Sequence, residues 1–207
     1  MSRRARAPRI KPKAGYHHGD LRRQLVIAAR RLIDRHGVDA FKLADAAKLA
    51  GVSAAAPYRH FEDRLDLLSA VADDGFERLG VAAADAAAGH AAGSVDAVCA
   101  LGLAYIDFAR ANPNVFRLMF GPDEKEGAEV PEEGAVAYDV LIAQVAAHLA
   151  LADDSPPVLG TALSLWMYVH GFASLLIDDK LGIGRLEIDI PAMVRANTAP
   201  MLRAFVS

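Results

Sequence analysis

The stretch GVSAAAPYRHF, residues 51–61, decides the fold. A proline stands among residues that favour a helix, and Tyr58, Arg59 and His60 follow it at once. Proline in a helix interior costs about 3 kcal/mol, because it lacks an N–H and its ring strikes the carbonyl four residues back. One continuous helix over 43–61 is therefore excluded. Upstream, the alanine-rich segment 43–50 reads as a short helix, which Gly51 ends by taking the left-handed conformation other residues resist. With Ser53 as N-cap, Pro57 falls in the first turn of a new helix, where little hydrogen bonding is lost. Two short helices separated by Gly51, Val52 and Ser53 form a helix-turn-helix, with Ala47 allowing close crossing and Val52 pinned between them.

Working outward, Leu21, Leu25, Ala28, Leu32 and Ile33 recur at helical spacing between Asp20, read as an N-cap, and Gly37, read as a C-terminal cap. A further helix opens at Asp63 with Asp66 in a capping box, turns Leu65, Leu68, Val71 and Phe76 inward, and reaches about residue 79. Residues 81–93 are alanine and glycine of low information. Ser94 caps a helix to residue 111, Pro113 restarts a short one ending near Gly121, and a polar loop occupies 122–130. Helices follow at 131–151, from Ser155 and Pro156 to about 180, and at 190–206, where Pro200 is expected to kink or break the last. No useful β-alternation and no internal repeat is present, so the expected fold is all-α.

Composition agrees, since apolar residues are 53 % and aromatics only 7 %, a balance of alanine and leucine that favours helices over sheets. Charge is unevenly distributed. Residues 1–68 hold 15 Lys and Arg against 7 Asp and Glu, net +8, whereas the remainder holds 8 against 19, net −11. A basic head on an acidic body is the electrostatic footprint of a nucleic-acid reader with a separate second domain. The expected division is a basic disordered arm at 1–19, a helix-turn-helix domain at 20–68 with its linking helix to 79, and a ligand-binding and dimerisation domain at 80–207. Arg3, Arg4, Arg6, Arg9, Lys11 and Lys13 of the arm suit phosphates or a minor groove, and no apolar run follows them as in a secretory signal. The single Cys99 cannot form an internal disulfide and fits a reducing cytoplasm.

Residues 155–177 carry no charge, a run long enough to span a bilayer. Its flanks are Asp153, Asp154, Asp178, Asp179 and Lys180, without a basic anchor or paired aromatic belts, and Thr161, Ser164 and His170 lie inside it. The reading preferred is no membrane contact but a helix buried on one face in its own body and on the other against a second copy. Gly160, Ala162, Ser164, Gly171 and Ala173 would let a partner helix come close, so a homodimer is expected.

The segments VIAARRLIDRHG (26–37), AAKLAGVS (46–53) and PYRHFEDRLDLL (57–68) together resemble the TetR-type transcriptional regulators. Farther on, LWMYVHGFASLLID (165–178) is similar to the regulatory domain of a branch marked by a Trp-His-Gly motif. The resemblance implies a homodimeric repressor or activator that places two recognition helices in successive major grooves of a palindromic operator and is released by a small-molecule inducer. It further implies that Ala54, Ala55 and Ala56 face base edges, Tyr58 and His60 contact phosphate, Arg59 contacts base or backbone, and Arg64 takes the family's phosphate-binding lysine position. Ser53 belongs to the same surface. Three departures stand out: Pro57 replaces the usual Leu or Ile, Lys42 occupies a position that often holds a capping Ser or Thr and could reach a phosphate, and the three alanines offer bases only methyl contacts. Readout is then expected to lean on Arg59 and DNA shape.

Phe61 is expected in the core. In the second domain Tyr105, Phe108, Phe116, Met119, Phe120, Tyr138, Trp166 and His170 are the candidates for lining an effector cavity. The switch expected is a population shift in which the helix opening at Asp63 swings and the two recognition helices lose their one-turn spacing. An enzyme is not expected: the seven histidines show no metal spacing, and neither a phosphate-binding glycine loop nor a nucleophile elbow is present, so no cofactor or metal is expected either. The alternative class is a helical ligand-binding or scaffold protein without DNA binding, which would lack a steep salt slope and a preference for a palindrome.

Overall fold

The structure, a computed structural model, describes residues 18–121, 132–180 and 188–204. The regular elements among these residues are all helical: α1 (His18–His36), α2 (Leu43–Leu49), a 3-10 turn (Pro57–Arg59), α3 (Arg64–Ala88), α4 (Val95–Ala111), α5 (Pro113–Met119), α6 (Glu132–Leu149), α7 (Pro156–Ile177) and α8 (Ile190–Ala204). The all-α expectation holds. The basic arm as far as residue 17 and the polar segment 122–130 lie outside the described residues.

Several ends fall where local chemistry puts them. Gly51 has φ +73°, and the N–H of Val52 behind it donates to the Ala47 carbonyl at 2.9 Å, closing α2. Asp63 accepts from the Asp66 N–H at 2.8 Å, while Asp66 accepts from the Glu62 N–H at 3.0 Å, a reciprocal cap for α3. Ser94 Oγ accepts from the Ala97 N–H at 3.0 Å and opens α4.

Other ends move. α1 begins at His18, so Asp20 lies inside its first turn rather than at its N-cap. α3 does not stop near 79 but continues to Ala88, because alanine is the best helix former even where no apolar stripe marks the helix. α8 runs through Pro200. Buried Val194, Thr198 and Leu202 hold it against the body, which outweighs one lost rung of its ladder.

The largest correction concerns the recognition element. No α-helix opens at Ser53: the chain makes a turn in which the Ala56 N–H donates to the Ser53 carbonyl at 3.0 Å, and a 3-10 turn over Pro57–Arg59 follows. An α-helix capped at Ser53 would need the Pro57 N–H to donate to that same carbonyl, and proline has none. The tighter three-residue bonds take over, with the Arg59 N–H donating to Ala56 and the His60 N–H to Pro57.

α4 is the central helix, packing on α3, α5, α6, α7 and α8. One apolar cluster runs from Leu25 and Ile33 of α1 through Phe61, Leu67 and Val71 to Ile106, Phe116 and Val194, so head and body share a continuous core. α7 buries Val158, Ala162, Leu165, Val169 and Phe172 at alternating three- and four-residue spacing. Its mean hydropathy of 1.3 and 22 residues would suffice to cross a membrane, yet only 28 % of its most apolar window is buried. Its other face is therefore oily surface.

Candidate nucleic-acid interface and effector site

At the head, the 3-10 turn stands on a buried base. Pro57 and Phe61 point inward, and the Arg22 guanidinium lies 4.9 Å from the centre of the Phe61 ring. Between these anchors the chain turns Tyr58, 63 % exposed, and Arg59 outward, with His60 half-buried beside them. Lys42, Ser53, Ala54 and Ala55 are exposed and Ala56 is partly covered. The turn thus presents two long side chains and a short apolar step on one exposed edge.

In the body, His170 of α7 is the hub of an aromatic cluster. Its ring centre lies 4.7 Å from that of Phe120, 5.6 Å from Phe116, 5.7 Å from Trp166 and 6.2 Å from Tyr105. Tyr138 of α6 joins through Trp166 at 5.7 Å, and Phe76 of α3 joins through Phe120 at 5.3 Å. The Tyr105 hydroxyl is hydrogen-bonded to His170 Nδ1 at 2.8 Å, and Ser174 Oγ lies 3.5 Å from Nε2. With the tyrosine as donor, the imidazole carries its proton on Nε2, facing the serine. Burial holds the His170 imidazole below its ordinary value and pushes the Tyr105 hydroxyl well up, so both are neutral at pH 7. Trp166, Phe120 and Tyr138 stay partly exposed, so the cluster is incompletely covered.

Residues 25–71 match the family of bacterial regulatory proteins of the tetR type, and residues 98–198 match the tetracyclin repressor-like C-terminal domain. A solved protein of unknown function from Rhodococcus sp. RHA1 is 32 % identical over 94 % of this chain and all of its own, with a TM-score of 0.77. The chain belongs to the TetR family. Its fold is also that of a tetR-family transcriptional regulator from Streptomyces coelicolor, 18 % identical over 90 % of this chain and 79 % of that one, with a TM-score of 0.63. The regulator FadR from Bacillus subtilis, solved with stearoyl-CoA, shares the fold at 14 % identity over 89 % of this chain and 97 % of that one, with a TM-score of 0.58. No curated protein matches the chain. It is accordingly a DNA-binding transcriptional regulator and not an enzyme.

Within this TetR-family protein, some expected site residues are brought together and others are not. Six of the eight body candidates, Tyr105, Phe116, Phe120, Tyr138, Trp166 and His170, share the cluster. Met119 turns away and fills the space beside Gly75 of α3, where a Cβ would lie 2.6 Å from its sulfur. Phe108 also faces elsewhere, with the Arg78 guanidinium 5.4 Å from its ring centre. At the head, Ser53 caps nothing, and Lys42 begins α2 without a side-chain capping bond. Arg64 is already engaged: its Nη2 donates to the Val38 carbonyl at 2.7 Å and its Nε to the Phe41 carbonyl at 3.2 Å, bracing α3 against the α1–α2 loop. Sequence reasoning placed Phe76 on the inward side of its helix without assigning it to the cluster, and missed this brace. Aromatic content alone could have suggested Phe76, but nothing local signals the loop carbonyls of Val38 and Phe41.

The depressed His170 value has a consequence for stability. The unfolded chain takes up a proton at His170 near pH 6.5, whereas the folded chain resists it, so the folded state loses stability as pH falls below that value and is unaffected above it. Thermal melts between about pH 7.5 and 5.5 should show wild type falling more steeply than His170→Gln, which keeps a hydrogen-bonding group for Tyr105 but does not titrate. Parallel curves would mean that His170 is protonated as readily folded as unfolded.

Proposed function

We propose that this regulator represses transcription from the cytoplasm by binding a palindromic operator as a homodimer and leaving it when a small molecule enters the body. The reading divides the chain into a basic arm at 1–19, a DNA-binding head at 20–68 with α3 as its link, and a ligand-binding and dimerisation body from 80 to 207. The carrying observation is the turn after Pro57, which holds Tyr58 and Arg59 outward on a base of buried Pro57 and Phe61. Tyr58, Arg59 and His60 are its phosphate and base contacts, Ser53 to Ala56 approach base edges, and Lys42 adds a phosphate contact. Arg64 serves first as the brace for this surface, with its remaining N–H groups left for phosphate.

The effector site is the His170 cluster, in the Trp-His-Gly branch pattern of Trp166, His170 and Gly171. Among the described residues no Lys, Arg, Asp or Glu side chain bonds to it, and its histidine is neutral, so the inducer is an uncharged, largely apolar molecule. The dimer seam is the oily face of α7, where Leu159, Leu163, Met167 and Leu175 are exposed at four-residue steps interrupted by Gly171. A Cβ at Gly171 would meet nothing within 4 Å, leaving a notch for a partner helix.

Selection of bound sequences from random duplexes tests the reading and should recover an inverted repeat with half-sites about one helical turn apart. On that duplex, Arg59→Ala should weaken binding roughly tenfold and flatten the salt dependence by about one unit if Arg59 rests on a phosphate. Recovery of no duplex, or binding insensitive to salt, would leave a helical ligand-binding protein instead. A compound that quenches Trp166, the sole tryptophan, should also release the duplex.

A further inference from the structure

Two helices that face each other carry complementary charges in matching steps. α1 offers Arg30 and Asp34 four residues apart, and α3 offers Asp74 and Arg78 at the same interval. The first rung is closed, with Arg30 Nη1 on Asp74 Oδ2 at 2.7 Å. The second is open: Asp34 Oδ1 and Arg78 Nη1 are each buried without a hydrogen-bond partner, although Arg78 is the cation acting most strongly on Asp34.

Arg78 is held elsewhere. Its Nη2 donates to Asn112 Oδ1 at 3.0 Å, at the junction of α4 and α5, and its guanidinium rests beside the Phe108 ring. Asn112 Nδ2 donates in turn to the Phe108 carbonyl at 2.9 Å, and Asn114 Nδ2 donates to the main-chain carbonyl of Asp34 at 3.1 Å. The same junction therefore grips both halves of the open rung. Burial works against both charges, raising the Asp34 carboxyl and lowering the Arg78 guanidinium. A buried carboxylate and a buried guanidinium that each lack one bond are relieved if they meet, and an arginine's long stem allows a change of partner without unfolding either helix.

We propose that Arg78 is a two-position coupling residue: it sits on Asn112 of the body in the arrangement described here, and moves to Asp34 of the head when the α4–α5 junction shifts, closing the second rung and drawing α1 and α3 into a different relative setting. α5 carries Phe116 of the aromatic cluster on the same short helix as Asn114, and Phe120 of the cluster is its C-cap as Asn112 is its N-cap, so displacement of those rings reaches Asn112 and Asn114 directly. The inference rests on reading the cluster as the effector site and the head as the DNA reader. Arg78 acts through the helices it ties and is a positioning residue, not a DNA or ligand contact.

The test is a set of unfolding double-mutant cycles on the full chain, together with affinity for the selected duplex. In the wild-type background, coupling between Asp34→Asn and Arg78→Met should be small, below about threefold in the unfolding constant, and in an Asn112→Ala background it should grow to about tenfold or more. If Asn112→Ala does not fold, Asn112→Ser supplies the background. Asp34→Asn and Asn112→Ala should shift duplex affinity in opposite directions, since one removes the acceptor in the head and the other the acceptor in the body. Unchanged coupling on loss of Asn112 overturns the swap. A swap in the cycles with both variants moving affinity the same way, or not at all, overturns its role in coupling. If wild type binds no duplex, the DNA-binding reading falls by itself and the cycles still decide whether Arg78 changes partner.

Discussion

Phe61→Ala is expected to lower stability by about 3–5 kcal/mol, while Tyr58→Ala, three residues earlier, changes it by no more than about 0.5 kcal/mol. Phe61 is 2 % exposed and Tyr58 63 %, so one substitution opens a cavity in the core and the other removes a side chain already in water. Phe61 also closes the 3-10 turn, its N–H donating to the Pro57 carbonyl at 3.0 Å, and supports the Arg22 guanidinium on its ring face. Because the cluster containing Phe61 continues to Val194 in the last helix, the loss should appear as one cooperative transition displaced downward. For a chain of this length the fall in Tm is roughly 6–20 °C. Duplex binding should respond the other way at low temperature: Tyr58→Ala weakens it with the melt unchanged, whereas folded Phe61→Ala keeps Tyr58 and Arg59 available. Calorimetry and anisotropy on the same two variants separate the roles. A small effect of Phe61→Ala on Tm would mean that the head contributes little to the cooperative core.

What the sequence displayed and what it concealed divide along the range of the interactions. Gly51, Asp63 and Ser94 were legible because each acts on backbone groups within a few residues. The proline was legible as an interruption, but its full effect was not: whether a helix resumes after Ser53 depends on a single missing N–H, and the expected cap took the loss of that one bond as tolerable. The extension of α3 across 80–88 hid in alanines, which favour a helix yet leave no apolar stripe to trace. Arg30, Asp34, Asp74 and Arg78 each look like ordinary charges on an exposed helix face, since the pairing crosses about forty residues of chain. Their junction with Asn112 and Asn114 emerges only when α1, α3 and α5 meet. The aromatic candidates fared between these extremes, because helical spacing places rings inward without saying which inward rings share a neighbour. Phe108 faces Arg78 and Met119 faces Gly75, both of α3, while Phe76 of α3 reaches into the cluster.

If the proposed dimer closes on α7, replacing Leu163 and Met167 together by glutamate should leave a monomer and weaken binding to the proposed operator by about 10²–10⁴-fold. The two side chains are 43 % and 56 % exposed in the single chain, so glutamate there meets water and the monomer keeps its fold and helix content. In a dimer built on this ridge, the same positions lie against the partner's α7, and four carboxylates would be forced into an apolar seam at several kcal/mol each. The opposite face of α7 could not report this, because Val158, Leu165 and Val169 belong to the body's own core and their loss would unfold rather than dissociate. Operator affinity follows because one head then gains nothing from the other's contact, and the second half-site no longer binds intramolecularly. Sedimentation equilibrium and anisotropy on the selected duplex provide both readings. A doubly substituted chain that still sediments as a dimer would move the seam to another surface, whereas a monomer that keeps full operator affinity would show that one head suffices and that the palindrome is not read by two.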